Sequence, residues 1–369
     1  MNRRTVLKTG LASAALLAAP ALISSKALAS SGELKLVGYA MNQQPILDAF
    51  EKTSGIKVKL VTITNDDEMF AQVKLGAGSA DAADLCEPAS TNIPTWYANE
   101  FLQPFDAAKL QISNITAGMP GTKEGDAGYI DGKLLYASTM WGGEGMGYAS
   151  DVTGHAYGEA SLADILDPAF VGAVTVRAHS ALAAIGRVLD GQGKLPKPFL
   201  ESYKDEAVMR ANYDVIIAEA IKHKSNIAQF WTNDNEGNAA FTANGCRAGL
   251  IWESMGRVLA DQGVRYIAPK EGAFGWNQGF VLLKGSTKAD AAHEFVKYIS
   301  QPENSAKWAA SQQGLPSAKG AVELMDEKSR AFTQAAYPGD AMSKIWWWPP
   351  QDAWFIKLRG EYADKWRAA

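Results

Sequence analysis

The residues that could do chemistry are unevenly distributed along this chain. Histidine, the most frequent acid–base catalyst and metal ligand, occurs only at His155, His179, His223 and His293. No two of them stand at i, i+4, and none lies near a cysteine at zinc spacing. No Gly-x-Ser-x-Gly elbow, phosphate loop or dinucleotide fingerprint occurs. Gly142-Gly143-Glu144-Gly145-Met146-Gly147 is glycine-rich but departs from GxGxxG, and it reads as a strand that bends or passes close to other backbone. The acid pair Asp66-Asp67 reads as a helix N-terminus, where carboxylates favour the dipole. No catalytic residue, cofactor or metal is therefore expected. Tryptophan is the informative residue: there are eleven, and several sit beside glycine or polar residues. Trp141 precedes Gly142-Gly143, Trp231 precedes Thr232-Asn233-Asp234-Asn235, Trp252 precedes Glu253-Ser254, and Trp276 lies between Gly275 and Asn277. An indole face attracts cations and packs against methylene chains or rings. Placement at strand ends and loop entries makes Trp141, Trp252 and Trp276 candidates to line a cleft.

Elements that could position such a cleft follow from periodicity. Leu34 to Tyr39 reads as a strand, and Pro45 starts a helix with Ile46, Leu47 and Phe50 on one face, closed at Ser54-Gly55. Ile56 to Val61 alternates as a strand, Glu68 to Leu75 reads as a helix, and Asp84-Leu85-Cys86 as a short buried strand before Pro88. Leu134 to Met140 reads as another strand. Such βαβ alternation predicts an α/β fold with a largely parallel sheet and a crevice at the carboxyl ends of its strands. Lys288 to Ser300 is amphipathic, with Ala292, Phe295, Val296 and Ile299 on one face, and Asp352 to Trp366 reads as a terminal helix with Phe355, Leu358 and Tyr362 inward. About 340 residues beyond a leader exceed one compact core, so two domains are expected. The absence of a linker between them suggests lobes joined by crossing strands.

The leader itself is expected from Asn2-Arg3-Arg4-Thr5-Val6-Leu7-Lys8, the uncharged run Leu11 to Ile23, and Ala27-Leu28-Ala29. Charged region, short apolar region and small-residue site make residues 1–29 a secretory signal, of twin-arginine type with Val6 in the usual phenylalanine position. Its removal takes away Arg3, Arg4, Lys8 and Lys26, which moves the formal charge from −4 to −8. A mildly acidic chain argues against nucleic acid and anionic membrane surfaces as partners, and a monomer without membrane insertion is expected. Cys86 and Cys246 are expected to be two free, partly buried thiols; an oxidising compartment could join them, but their number and spacing suggest no framework or metal site.

From Leu34 to about Gln351 the chain resembles the periplasmic spermidine/putrescine-binding proteins of ABC importers. The stretches that carry this are Ile46 to Val58, Asp84 to Pro88, Leu102-Gln103-Pro104-Phe105-Asp106, Gly132 to Gly145, Ser161 to Gly172, Gly249-Leu250-Ile251-Trp252, Pro269-Lys270-Glu271-Gly272 and Pro302-Glu303-Asn304, in a common order. The resemblance implies a two-lobe periplasmic-binding-protein fold (type II), with residues 34–142 and 274–332 in one lobe and 143–273 and 333–369 in the other. It implies a ligand cleft between the lobes and a membrane permease as partner. Carried over position by position, it implies pocket residues Tyr39, Trp252, Trp276, Tyr337 and Gln351; Thr91 is a further candidate, and Glu253, next to Trp252, a candidate acceptor. Two positions depart from the family. Gln278 replaces the acid two residues after the second pocket tryptophan, and Arg177-Ala178-His179-Ser180 replaces an acidic pair after Val174-Thr175-Val176. A buried ammonium needs a paired acceptor, whereas an arginine fork suits a carboxylate, phosphonate or sulfonate. The expected solute is therefore a small zwitterion or organic anion bearing an amine, held by Arg177, His179, Gln278 and Gln351. A polyamine is the alternative solute. An exported enzyme, or a sensory subunit without transport, is the alternative class.

Overall fold

The computed structural model describes residues 32–39, 42–79 and 82–369; the expected export signal lies outside them. The first strand, Glu33–Tyr39, pairs in parallel with Lys57–Ile63 on one side and with Leu85–Cys86 on the other. Between them runs the helix Gln44–Ser54, with proline in its first turn and Ile46, Leu47 and Phe50 buried. Gly55 closes it at φ 76°, the left-handed conformation that glycine adopts without strain. The helix Asp66–Gly76 starts where the acid pair placed it, capped by the Asn65 side chain. Ala289–Ile299 buries Ala292, Phe295, Val296 and Ile299, as its 3.6-residue period requires. The terminal helix Ala353–Ala368 buries Phe355, Leu358 and Tyr362.

Two long antiparallel strands run through the middle of the molecule, Ala137–Tyr148 and Phe274–Leu283. Along the main sheet the strands beginning at residues 57, 33, 85, 274, 137, 248, 174 and 227 follow one another. Parallel pairing is confined largely to the outer strands. The middle is antiparallel because the chain crosses it in both directions, which local periodicity does not reveal. The strand expected over Leu134 to Met140 continues through the glycine-rich stretch to Tyr148. Apolar burial divides into separate cores on either side of this crossing. One gathers Leu34, Leu36, Phe50, Phe280, Phe295 and Trp308; another gathers Val174, Leu182, Ile185, Tyr213, Phe355 and Trp366. The architecture is the two-lobed α/β fold. Cys86 and Cys246 are both free and buried, more deeply than expected. Among the described residues no helix is long and apolar enough to cross a membrane.

Candidate functional site

The chemistry-bearing side chains converge on the carboxyl ends of the strands, where open α/β sheets leave a crevice. Tyr39 ends the first strand, and Glu87 follows the strand Leu85–Cys86. Arg177 follows Val174–Val176, Trp231 follows Ile227–Phe230, and Trp252 ends Ala248–Trp252.

Alternation along the two crossing strands decides which residues share a face. On Phe274–Leu283, Trp276 and Gln278 are half-buried while Gly275, Asn277 and Gly279 are buried. Trp276 pairs with Gly142 and Gln278 with Met140. The Trp276 indole lies directly over Gly142, where any Cβ would collide with it. Two residues along that same face, Glu144 reaches Arg177. Trp276, Gln278, Glu144 and Arg177 therefore line one face. The opposite face carries Trp141, Gly143 and Gly145, and a Cβ at Gly143 or Gly145 would collide with the Tyr266 hydroxyl, at Gly143 also with that of Tyr337.

The second lobe supplies a basic wall. Arg177 donates from Nη2 to Glu144 Oε2 at 2.9 Å and from Nε to Ser180 Oγ at 3.0 Å. Its guanidinium carbon lies 4.8 Å from the Trp252 ring centre and 5.5 Å from that of Trp231, a cation–π arrangement. The side chain remains 20 % exposed, so part of its five-donor fork still faces solvent. Glu144 is fully buried, and burial raises its carboxyl pKa against the opposing pull of Arg177. His179, in the first turn of the helix Ala178–Gly191, is held neutral: burial lowers its pKa well below the ordinary value, helped by Arg177, Arg359 and Arg367. Arg359 projects from the terminal helix and donates to Gln351 Oε1 at 2.5 Å. Burial and the nearby Arg177 charge both disfavour its charged form, and no carboxylate figures among the charges acting on it.

The first lobe supplies an acidic wall. The Tyr39 hydroxyl donates to Asp66 Oδ1 at 2.5 Å, and Asn92 Nδ2 donates to Asp66 Oδ2 at 2.8 Å. Burial and Asp66 keep the Tyr39 phenol protonated, while Gln278 hydrogen-bonds its oxygen. Glu87 is fully buried and accepts from Thr139 Oγ1 at 2.6 Å, Trp308 Nε1 at 2.7 Å and Gln312 Nε2 at 3.0 Å. Burial raises its pKa to about 7, against those three bonds. The charged groups that act on Tyr39 and on Tyr136 are Asp66 and Glu87; no cation figures among them. Thr91 joins the walls: its carbonyl accepts from the Gln351 backbone N–H at 3.2 Å.

Of the residues expected at the site, Tyr39, Thr91, Arg177, His179, Trp252, Trp276, Gln278 and Gln351 come together around this crevice. Trp141, Glu253 and Tyr337 do not share the face that carries Arg177 and Trp276. Trp141 is fully buried, donates to the Pro316 carbonyl at 3.2 Å and packs 5.6 Å from Tyr337. The Tyr337 hydroxyl lies 3.1 Å from that of Tyr266. Glu253 is buried and ion-paired to Arg257. Strand parity sends Trp141 into the packed layer behind the crevice, and Glu253 and Tyr337, which lie on no strand, meet there beside Gly143. Sequence reasoning missed Asp66 as a site residue, and also Glu87 and Arg359. Glu87 could have been found by its place just past a buried strand; Arg359 carries no such signal, being one of several bases on its helix. Among the described residues no group of histidine, cysteine and carboxylate side chains is arranged to hold a metal.

Residues 46–336 match the model of the bacterial extracellular solute-binding proteins. The spermidine/putrescine-binding periplasmic protein of Escherichia coli is 24 % identical over 328 residues, covering 88 % of each chain. The putrescine-binding periplasmic protein PotF of the same organism is 26 % identical over 326 residues, 84 % of each. The structure of the spermidine/putrescine ABC transporter substrate-binding protein PotD from Streptococcus pneumoniae superposes with a TM-score of 0.71 at 19 % identity, covering 92 % of this chain and 99 % of that one. The relatives are periplasmic, and so is this protein; with its two lobes meeting at a polar crevice, the chain belongs to the bacterial extracellular solute-binding protein family.

Proposed function

We propose that this protein is the solute-binding subunit of an ABC importer, and that its interlobe cleft takes a small solute carrying both an amine and an anionic group. The observation that carries this is Arg177, held between Glu144 and the faces of Trp252 and Trp231, at the carboxyl end of a strand in the crevice. Glu144 offsets its charge, but the solvent-facing part of the guanidinium fork still offers donors that suit a carboxylate, phosphonate or sulfonate and no acceptor for a polyamine's ammonium. Residues 34–142 with 274–332 and 143–273 with 333–369 are the two moving bodies of this reading; the cores around Phe50 and around Tyr213 lie one in each, while the cluster of Trp141, Ile251 and Tyr337 is shared between them. Closure excludes water from the cleft and presents a joined surface to the membrane permease.

A second reading, polyamine uptake, is favoured by the acidic wall of Asp66 and Glu87 and by the binding named for the relatives. Thermal unfolding of the purified protein against amino acids, amino-phosphonates, organic anions, putrescine and spermidine separates the two. Stabilisation by amine-bearing anions supports the proposal; stabilisation by putrescine or spermidine alone sinks it. Stabilisation by none of these classes removes the solute reading altogether.

A further inference from the structure

The terminal helix brings a second guanidinium to the basic wall. Along Ala353–Ala368 the residues Phe355, Leu358 and Tyr362 are buried, and the Phe355 ring stacks on Tyr203 with 4.3 Å between ring centres. That contact fixes the rotation of the helix. Arg359 stands one turn after Phe355 and shares its flank. The bond from Arg359 Nη1 to Gln351 Oε1 restrains the fork, and the Gln351 backbone N–H is itself tied to the Thr91 carbonyl at 3.2 Å.

The charges around Arg359 do not balance it. Arg177 lies near enough to repel it. The phenols of Tyr203 and Tyr213 are also close, and burial keeps both protonated and therefore uncharged. His179, in the first turn of Ala178–Gly191, is neutral. Glu144 is taken by Arg177 and does not figure among the charges acting on Arg359. Among the described residues the one hydrogen bond of the Arg359 side chain goes to an amide. The basic wall thus sets two guanidiniums against one carboxylate.

Unused donors lie at the same place. Arg177 commits Nε to Ser180 and Nη2 to Glu144, which leaves Nη1. Arg359 commits Nη1, which leaves Nε and Nη2. A partly buried guanidinium without a counter-charge destabilises the fold, and a bound anion removes that penalty. A charge that is unfavourable in the empty protein and balanced in the loaded one serves binding, not folding.

Resting on the reading of this crevice as the solute site, we infer that Arg359 is a ligand-binding residue: it and Arg177 hold the anionic group of the solute between them, and this second guanidinium sets the preference for an anion over an amine at the basic wall. A carboxylate, phosphonate or sulfonate bridges the two forks. A diamine would place a third cation beside them.

Two readouts of opposite sign test this. The mature wild type, Arg359→Gln and Arg367→Gln are melted without ligand, and titrated calorimetrically with alanine, 3-aminopropanoate, 2-aminoethanesulfonate, 2-aminoethylphosphonate and putrescine. Arg367, on the same helix, also acts on His179 but pairs with Asp364, so it controls for long-range charge. Ligand-free Arg359→Gln is expected to melt about 2 °C or more above wild type, yet to bind the tightest of the four amine-bearing anions at least tenfold more weakly. Arg367→Gln is expected to bind that anion within about twofold of wild type. An Arg359→Gln protein that melts below wild type assigns the residue to folding and overturns the inference. Unchanged affinity in that variant, or an equal loss in Arg367→Gln, overturns it as well. In each of these cases the amine-and-anion cleft stands. A wild type that binds none of the four anions, or prefers putrescine to all of them, overturns that reading and the inference with it.

Discussion

Replacing Arg177 by methionine should unmask a charge that the fold cannot tolerate. Glu144 has no exposed surface, and Arg177 is the cation paired with it, at 2.9 Å. Removing one partner of a buried pair costs about 3–5 kcal/mol, because the remaining charge is left uncompensated. The loss should depend on pH in a defined direction. Burial already raises the Glu144 carboxyl pKa, and Arg177 opposes that rise. Without the arginine the folded state holds the Glu144 proton more tightly than the unfolded chain does. Stability then falls as pH rises above the ordinary carboxylate range, at about 1.4 kcal/mol per pH unit until Glu144 ionises or the chain unfolds. Denaturant unfolding at pH 5 and pH 8 of the wild type, Arg177→Met, Glu144→Gln and the double variant measures this. We expect Arg177→Met to be far less stable at pH 8 than at pH 5, and Glu144→Gln to restore most of the loss at pH 8. A single variant as stable as wild type at pH 8, or a double variant no better than the single, refutes the reasoning that Glu144 is held ionised by Arg177.

Other outcomes follow from the same geometry. Trp252→Ala removes the ring 4.8 Å from the Arg177 guanidinium and should weaken solute binding by about 0.5–2 kcal/mol, read as a two- to thirty-fold rise in Kd by calorimetry. Glu87, with its pKa raised to about 7, makes the fold less stable as pH climbs from the ordinary carboxylate range to neutrality. Glu87→Gln should thus gain about 2–3 kcal/mol over wild type at pH 8 and little at pH 4; the unpartnered Gln312 Oε1 lets that amide turn to accept from the new side chain. Gly142→Ala and Gly143→Ala should each cost about 1–3 kcal/mol in unfolding measurements through overpacking. Gly142→Ala, whose Cβ displaces Trp276, should lose solute affinity by the larger factor.

Much of the first lobe was legible because its signals are local. Ile46, Leu47, Phe50 and Gly55 describe one helix and its end without reference to anything distant, and Ala292 to Ile299 do the same for another. The antiparallel middle was not legible, because the pairing of Trp276 with Gly142 joins residues far apart in sequence. That pairing also decides the fate of the tryptophans. Trp141 and Trp276 both stand next to glycine, yet strand parity sends one into the core and the other over the cleft. Arg177 was found by its departure from the family pattern. Arg359 sits on a helix whose inward residues read as Phe355, Leu358 and Tyr362, and only the return of Gln351 to Thr91 and to Arg359 itself brings that arginine into the crevice. Asp66 was read as a helix-dipole acid, which it is, while its contact with Tyr39 depends on two strands lying in register.

Native mass spectrometry of protein freshly released from the periplasm examines what the cleft holds. A complex one small molecule heavier than the bare chain is expected, with a released ligand that carries both an amine and an acidic group. Release of putrescine or spermidine instead, or a bare chain that then binds no amine-bearing anion, would contradict it.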